Sequence, residues 1–247
     1  SRLITLVDEG LITQTEFRLL DEAEQFVKRV RFALHIAADR PQNRLLFDLQ
    51  ESVADMMGYR ADDSKNRIEA FMKQVYRMTL RIGEFNDMLL QSFEETVLKN
   101  PSDAIVTEIN SRWHIRNQRL ELIHPNGFER HPSALLEAFV LLAQNPELKG
   151  LRASTTRQMY TARHLIDDAF RNDLVNVSYF MELMRYPEKL PEVLRRMRYY
   201  GILSRYIPEF CPIMGLMQHD LYQIYKVDDH TLQLIRNVTI FYTGVLE

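Results

Sequence analysis

The chain has 247 residues, 46% of them apolar and 26% charged, with a formal net charge of −3. That is enough chain to bury one or two cores, and the near-balance of charge gives no global reason to expect nucleic acid or an anionic membrane as partner. One cysteine, Cys211, excludes an internal disulfide framework and a thiolate zinc cluster. No apolar run is long enough for a membrane span, and the N-terminus does not read as a signal peptide, so a cytoplasmic protein is expected. Eight glycines and nine prolines are few for an all-β fold with many tight turns.

The pattern is helical nearly throughout. Thr13-Gln14-Thr15-Glu16 reads as a capping box, in which hydroxyl and carboxylate each satisfy an orphan amide. Behind it Phe17, Leu20, Phe26, Val27, Val30, Leu34 and Ala37 recur near a 3.6-residue period, until Arg40-Pro41 ends the helix. A second helix is expected from Arg44 to Met57, with Gly58 as its C-terminal cap. A third runs from Ser64 to Leu98. It spans about 50 Å, a length suited to a bundle spine or a bridge between domains. Between Pro101 and Pro132 the period falls to two around Arg116-Asn117-Gln118, which reads as a short hairpin and a domain boundary. Helices then resume over Ser133–Gln144, Thr155–Asn172, Leu174–Arg185, Glu188–Tyr200 and Ile213–Tyr225, and a last one begins near Asp229. The methionines Met56, Met57, Met72, Met78 and Met88 read as core, and Cys211 as a buried small hydrophobe.

Histidines beside acids are the first candidates for chemistry. His219-Asp220, Asp228-Asp229-His230 and His164 with Asp167-Asp168 each bring an imidazole near a carboxylate, as metal phosphohydrolases of the HD type require. A bare His-Asp dipeptide is a weak signal, and the ordinary reading is a helix-start carboxylate beside an unrelated histidine. His35, His114, His124 and His131 are scattered and read as exposed or satisfied. The run Arg195-Arg196-Met197-Arg198 reads as a solvated helix face. Absences say more. No glycine precedes a serine, no Asp-x-Asp occurs, and there is no Walker loop, dinucleotide fingerprint or His-Glu-x-x-His. The sequence therefore carries no complete catalytic set.

Several longer stretches resemble one family. They are Arg29 to His35, Asn43 to Asp48, Asn86 to Gln91, Pro132 to Phe139, Gly150 to Arg157, Arg195 to Phe210, Gly215 to Tyr222 and Tyr225 to Thr231. In this order they resemble the bifunctional uridylyltransferase/uridylyl-removing enzymes of bacterial nitrogen control, which modify the PII signal protein. The resemblance implies a longer parent: a nucleotidyltransferase domain, a helical region, an HD phosphohydrolase domain, then glutamine-sensing ACT domains. This sequence resembles the middle. The implied fold is all-α: a helical bundle over 1–100, a linker with a short β-hairpin over 101–132, a second helical region over 133–226, and the beginning of the HD domain over 227–247. His230 matches the first metal-ligand histidine of that domain, whereas His219-Asp220 is a family motif and not the metal pair. The parent would use Mg2+ or Mn2+ and UTP, respond to glutamine and act on PII, with no nucleic acid or membrane partner. The segment alone is expected to be inactive; the alternative is a module that docks PII without catalysis.

Overall fold

The computed structural model describes residues 2–8, 11–61, 63–97, 105–213 and 227–243. The chain divides into two compact units, 1–87 with 214–227 and 88–213 with 228–247. The fold is helical with one small antiparallel sheet, as the sequence pattern indicates.

The first unit contains α1 (Arg2–Asp8), α2 (Gln14–Ala38), α3 (Phe47–Met56) and the leading part of α4 (Ser64–Val97). The capping box forms as expected: the Glu16 amide donates to Thr13 Oγ1 at 3.2 Å, and the Thr13 amide donates to Glu16 Oε2 at 2.6 Å. Asp39 then turns left-handed at φ 49° and ends α2 before Pro41. The helix expected from Arg44 begins only at Phe47, because Leu46 is extended and serves as its N-cap. Gly58 closes it as anticipated, at φ +83° with its amide on the Asp55 carbonyl. Phe26, Val30, Ala33 and Leu34 of α2 pack with Val53 and Ala54 of α3 and with Phe71 and Met78 of α4. Tyr59 meets Phe71 edge-on at 5.4 Å. Met78 is core, but Met56, the last residue of α3, is exposed.

In the second unit the sheet comprises β1 (Val106–Glu108), β2 (Trp113–Arg116) and β3 (Arg119–Leu122). Trp113 pairs with Leu122 and Arg116 with Arg119, across a two-residue turn in which Asn117 and Gln118 both take positive φ, 50° and 63°. This is the turn geometry that matches the right-handed twist of a hairpin. The third strand, β1, was not legible from the residue pattern. Behind the sheet come α5 (Gly127–Arg130), α6 (Ala134–Gln144), α7 (Ala153–Ala162), α8 (Asp168–Asn172), α9 (Leu174–Leu183), α10 (Leu190–Tyr199), α11 (Leu203–Tyr206), α12 (Phe210–Ile213) and α13 (Val227–Thr243). The single helix expected over Thr155–Asn172 is instead broken. A 3-10 turn at Arg163–Leu165 follows α7, and Asp167, extended, restarts the chain by accepting the Phe170 amide at 2.8 Å. The helix expected over Ile213–Tyr225 lies, beyond Ile213 itself, outside the described residues.

α6 is the centre of this unit. Every residue from Ala134 to Ala143 is buried, and α9 and α10 pack on it. Leu232 of α13 joins the same core. Cys211 is exposed, not buried, on the one-turn helix α12. Among the described residues no helix is long and apolar enough to cross a membrane.

Candidate functional site

The buried polar chemistry of the second unit gathers around three glutamates. Glu137 is the one charged residue in the apolar run of α6, and it is only 6% exposed. Arg112 grips it through Nε at 2.8 Å and Nη2 at 2.6 Å, the buried Trp113 indole donates at 2.8 Å, and Asn110 Nδ2 donates at 3.2 Å. A carboxylate so deep is tolerable only because each lone pair has a donor. The hydrogen bond to Glu137 raises the Arg112 pKa above its ordinary value, and burial with the Glu137 charge raises that of Tyr179 beside them. The cluster anchors the start of β2 to α6.

Glu121 of β3 and Glu95 of α4 form a second cluster. His114 Nε2 lies 2.5 Å and Arg116 Nε 2.8 Å from Glu121 Oε2, and Arg152 Nη1 lies 3.2 Å from Oε1. Burial pushes the Glu121 pKa up, but His114, Arg116 and Arg152 outweigh it and hold the carboxyl below its ordinary value. Arg152 Nε also reaches Glu95 at 2.9 Å, and Glu95 accepts the Ala153 amide at 3.2 Å, capping α7 from outside its own sequence. Gln91 donates to Glu95 and to the Leu151 carbonyl. A carboxylate held ionised by two guanidinium groups and a histidine hydrogen bond is a poor proton donor, so this arrangement is a clamp between α4, the sheet and α7 rather than an acid-base pair.

The residues singled out in the sequence do not converge. His164 places Nδ1 2.8 Å from the Thr161 carbonyl, Asp167 caps α8, and Asp168 pairs with Arg171, so the trio is dispersed among local bonds. His114 belongs to the Glu121 clamp; His124 and His131 are exposed. His219 and Asp220 lie outside the described residues, as do the side chains of Asp228 and Asp229. His230 is exposed on the first turn of α13. Its helical neighbours Leu234, Val238 and Phe241 are also exposed, the last to 88%. Among the described residues no three His, Cys, Asp or Glu side chains form a group that could hold a metal ion. One exposed imidazole does not by itself make a divalent site. Glu137 carried a readable signal, a lone acid inside an apolar helix; Glu95, Glu121 and Arg152 carried none, because their pairing is long-range.

The polar clusters are structural, and family comparison supplies what geometry does not. Residues 1–90 match the model described as GlnD PII-uridylyltransferase, and residues 113–206 match the one described as the uridylyltransferase GlnD third domain. Between them the two models span most of the chain, in the order in which they are named here. Bifunctional uridylyltransferase/uridylyl-removing enzymes from Ectopseudomonas mendocina (47% identical over 97% of the chain), Pseudomonas aeruginosa (48% over 96%) and Pseudomonas fluorescens (46% over 99%) are among its relatives. The chain belongs to this family of bifunctional uridylyltransferase/uridylyl-removing enzymes. It spans about a quarter of the length of these relatives, 27%, 26% and 27% respectively. No solved structure matches.

Proposed function

We propose that the chain is the central helical part of an enzyme that uridylylates and deuridylylates the PII signal protein, and that it carries neither complete active site. The observation that carries this reading is the identity of 46% to 48% across nearly the whole chain to about a quarter of each bifunctional relative. The saturated state of Glu137 and Glu121 supports the second half of the proposal, because neither carboxylate is available to move a proton. In the whole protein UTP would be the uridylyl donor and glutamine the signal. Mg2+ or Mn2+ would serve both reactions, and the protein would work in the cytoplasm. His230 would contribute one ligand to the hydrolase metal site. The adjacent exposed face of α13, Leu234, Val238 and Phe241, suits a helix that is covered by further chain. Incubation of this chain with PII, labelled UTP and magnesium should leave PII unlabelled; robust labelling would overturn the reading.

A second reading, docking of PII without catalysis, has an observation of its own. Leu174, Val177, Met181 and Met184 of α9 and the residue after it recur at helical spacing and are exposed, Leu174 to 80%. By contrast Tyr199, Tyr200 and Tyr206 are engaged in ring contacts within the unit. Titrating unmodified and uridylylated PII against the chain separates the two readings. Binding that Met181→Glu abolishes favours the dock, and no binding favours the scaffold.

A further inference from the structure

α4 is held firmly on either side of a weak middle. In its leading part Phe71, Tyr76 and Met78 are buried, Phe71 completely. In its trailing part Met88 is buried, Gln91 donates to the Leu151 carbonyl, and Glu95 meets Arg152 at 2.9 Å and the Ala153 amide at 3.2 Å. Between them, no residue from Thr79 to Asp87 is buried. Ile82 rests on the first-unit core only in part, and Arg81 with Glu22 at 3.0 Å is a surface ion pair, which adds little. The division between the two compact units falls in this helix, between Asp87 and Met88.

The residues of this stretch also favour opening. Gly83 lies inside the helix, where glycine loses the most backbone freedom, and Thr79, Asn86 and Asp87 are poor helix formers too. Thr79 Oγ1 donates to the Val75 carbonyl at 2.9 Å and to the Tyr76 carbonyl at 3.0 Å, and so competes with backbone amides for the same acceptors. Space does not call for a glycine: a Cβ at Gly83 would meet nothing within 4 Å. Gly58, Gly150 and Gly201 take positive φ, and a Cβ at Gly127 would strike Leu122, so each has a local reason that Gly83 lacks. What Gly83 does is weaken the helix where burial already fails to hold it.

We propose that the turns of α4 around Gly83 are a built-in point of opening: they come apart and re-form while the helix on either side stays folded. Through it the length of α4 that belongs to the first unit is freed from the length that belongs to the second, without either unit unfolding. The inference is independent of the PII reading, since it rests on α4 alone. The test is native-state hydrogen exchange of the whole chain, read residue by residue by nuclear magnetic resonance. The amides from Gly83 to Asp87 bond to the carbonyls from Thr79 to Gly83, so both partners lie in the stretch. They should exchange about tenfold or more faster than the amides of Val75 to Met78 and of Ser92 to Glu95. Urea below the unfolding transition should speed those flanks but not the stretch, because a local opening exposes little new surface. Gly83→Ala should slow exchange in the stretch about fivefold. Equal protection along the whole of α4 overturns the proposal. So does exchange at Ser92 to Glu95 as fast as in the stretch, which is fraying from the end, or a urea response in the stretch equal to that of the flanks. It is equally overturned if Gly83→Ala exchanges as the unsubstituted chain does.

Discussion

The Glu137 cluster permits a prediction about which partner of a buried pair matters more. Replacing Glu137 with Leu removes the acceptor of the buried Trp113 indole, which costs about 1–3 kcal/mol for a stranded donor. It also frees Arg112, but that side chain is 33% exposed and can turn to water, so it adds little. Replacing Arg112 with Met instead leaves a carboxylate that is 7% exposed with the neutral donors Trp113, Asn110 and Tyr179 and no cation. Uncompensated buried charge is the costlier outcome, about 3–5 kcal/mol. The order is therefore Arg112→Met worse than Glu137→Leu, and the double variant should recover much of the larger loss. Trp113 is the only tryptophan of the chain, so urea unfolding followed by its fluorescence reads this cluster directly. For a chain of this size 3–5 kcal/mol corresponds to roughly 6–20 °C in Tm. If Glu137→Leu proves as damaging as Arg112→Met, or the double variant is simply the sum of the two, the assignment of cost to the stranded carboxylate is wrong.

Other variants probe other links. Because the Glu121 pKa is depressed in the folded state, its stabilisation is present above the ordinary carboxylate range and is lost as the pH falls through the folded value; Glu121→Gln should flatten the acid limb of a stability-against-pH curve below about pH 4.5 and leave its slope near neutrality unchanged. Phe71→Ala, at the fully buried centre of the first unit, should cost about 3–5 kcal/mol in unfolding followed by helical circular dichroism. Gly127→Ala places a Cβ 2.6 Å from Leu122 Cδ2 and should cost about 1–3 kcal/mol, where an open helical site would gain stability from the same change. Thr13→Ala removes the α2 cap and should cost about 1 kcal/mol.

What could be read from the residues was what local chemistry dictates. The capping box at Thr13, the glycine after α3, the course of α4 and the Asn117-Gln118 turn each depend on neighbours in sequence, and each is found. β1 was missed because Val106, Thr107 and Glu108 are all exposed and show no alternation; only backbone pairing with β2 makes them a strand. The break at Asp167 was missed because the apolar period runs on through it, while the cap that interrupts it is a single side-chain bond. The helix starts at Phe47 and Leu190 fall later than expected, and neither N-cap residue, Leu46 or Lys189, makes a side-chain cap bond that would mark the start in the residue pattern. Cys211 misled because apolar neighbours suggested burial, whereas it falls on a one-turn helix with its thiol outward. The clamp of Glu95 with Arg152 spans 57 residues, and no spacing rule reaches that far.

The total enclosure of α6 has a practical corollary for dissecting the protein. A helix with no face of its own to offer water behaves as a keystone, secure only once the surrounding segments have closed on it. Expression boundaries drawn anywhere between β2 and α10 would expose its leucines and yield aggregating pieces, so soluble truncations should carry that whole stretch or omit it entirely.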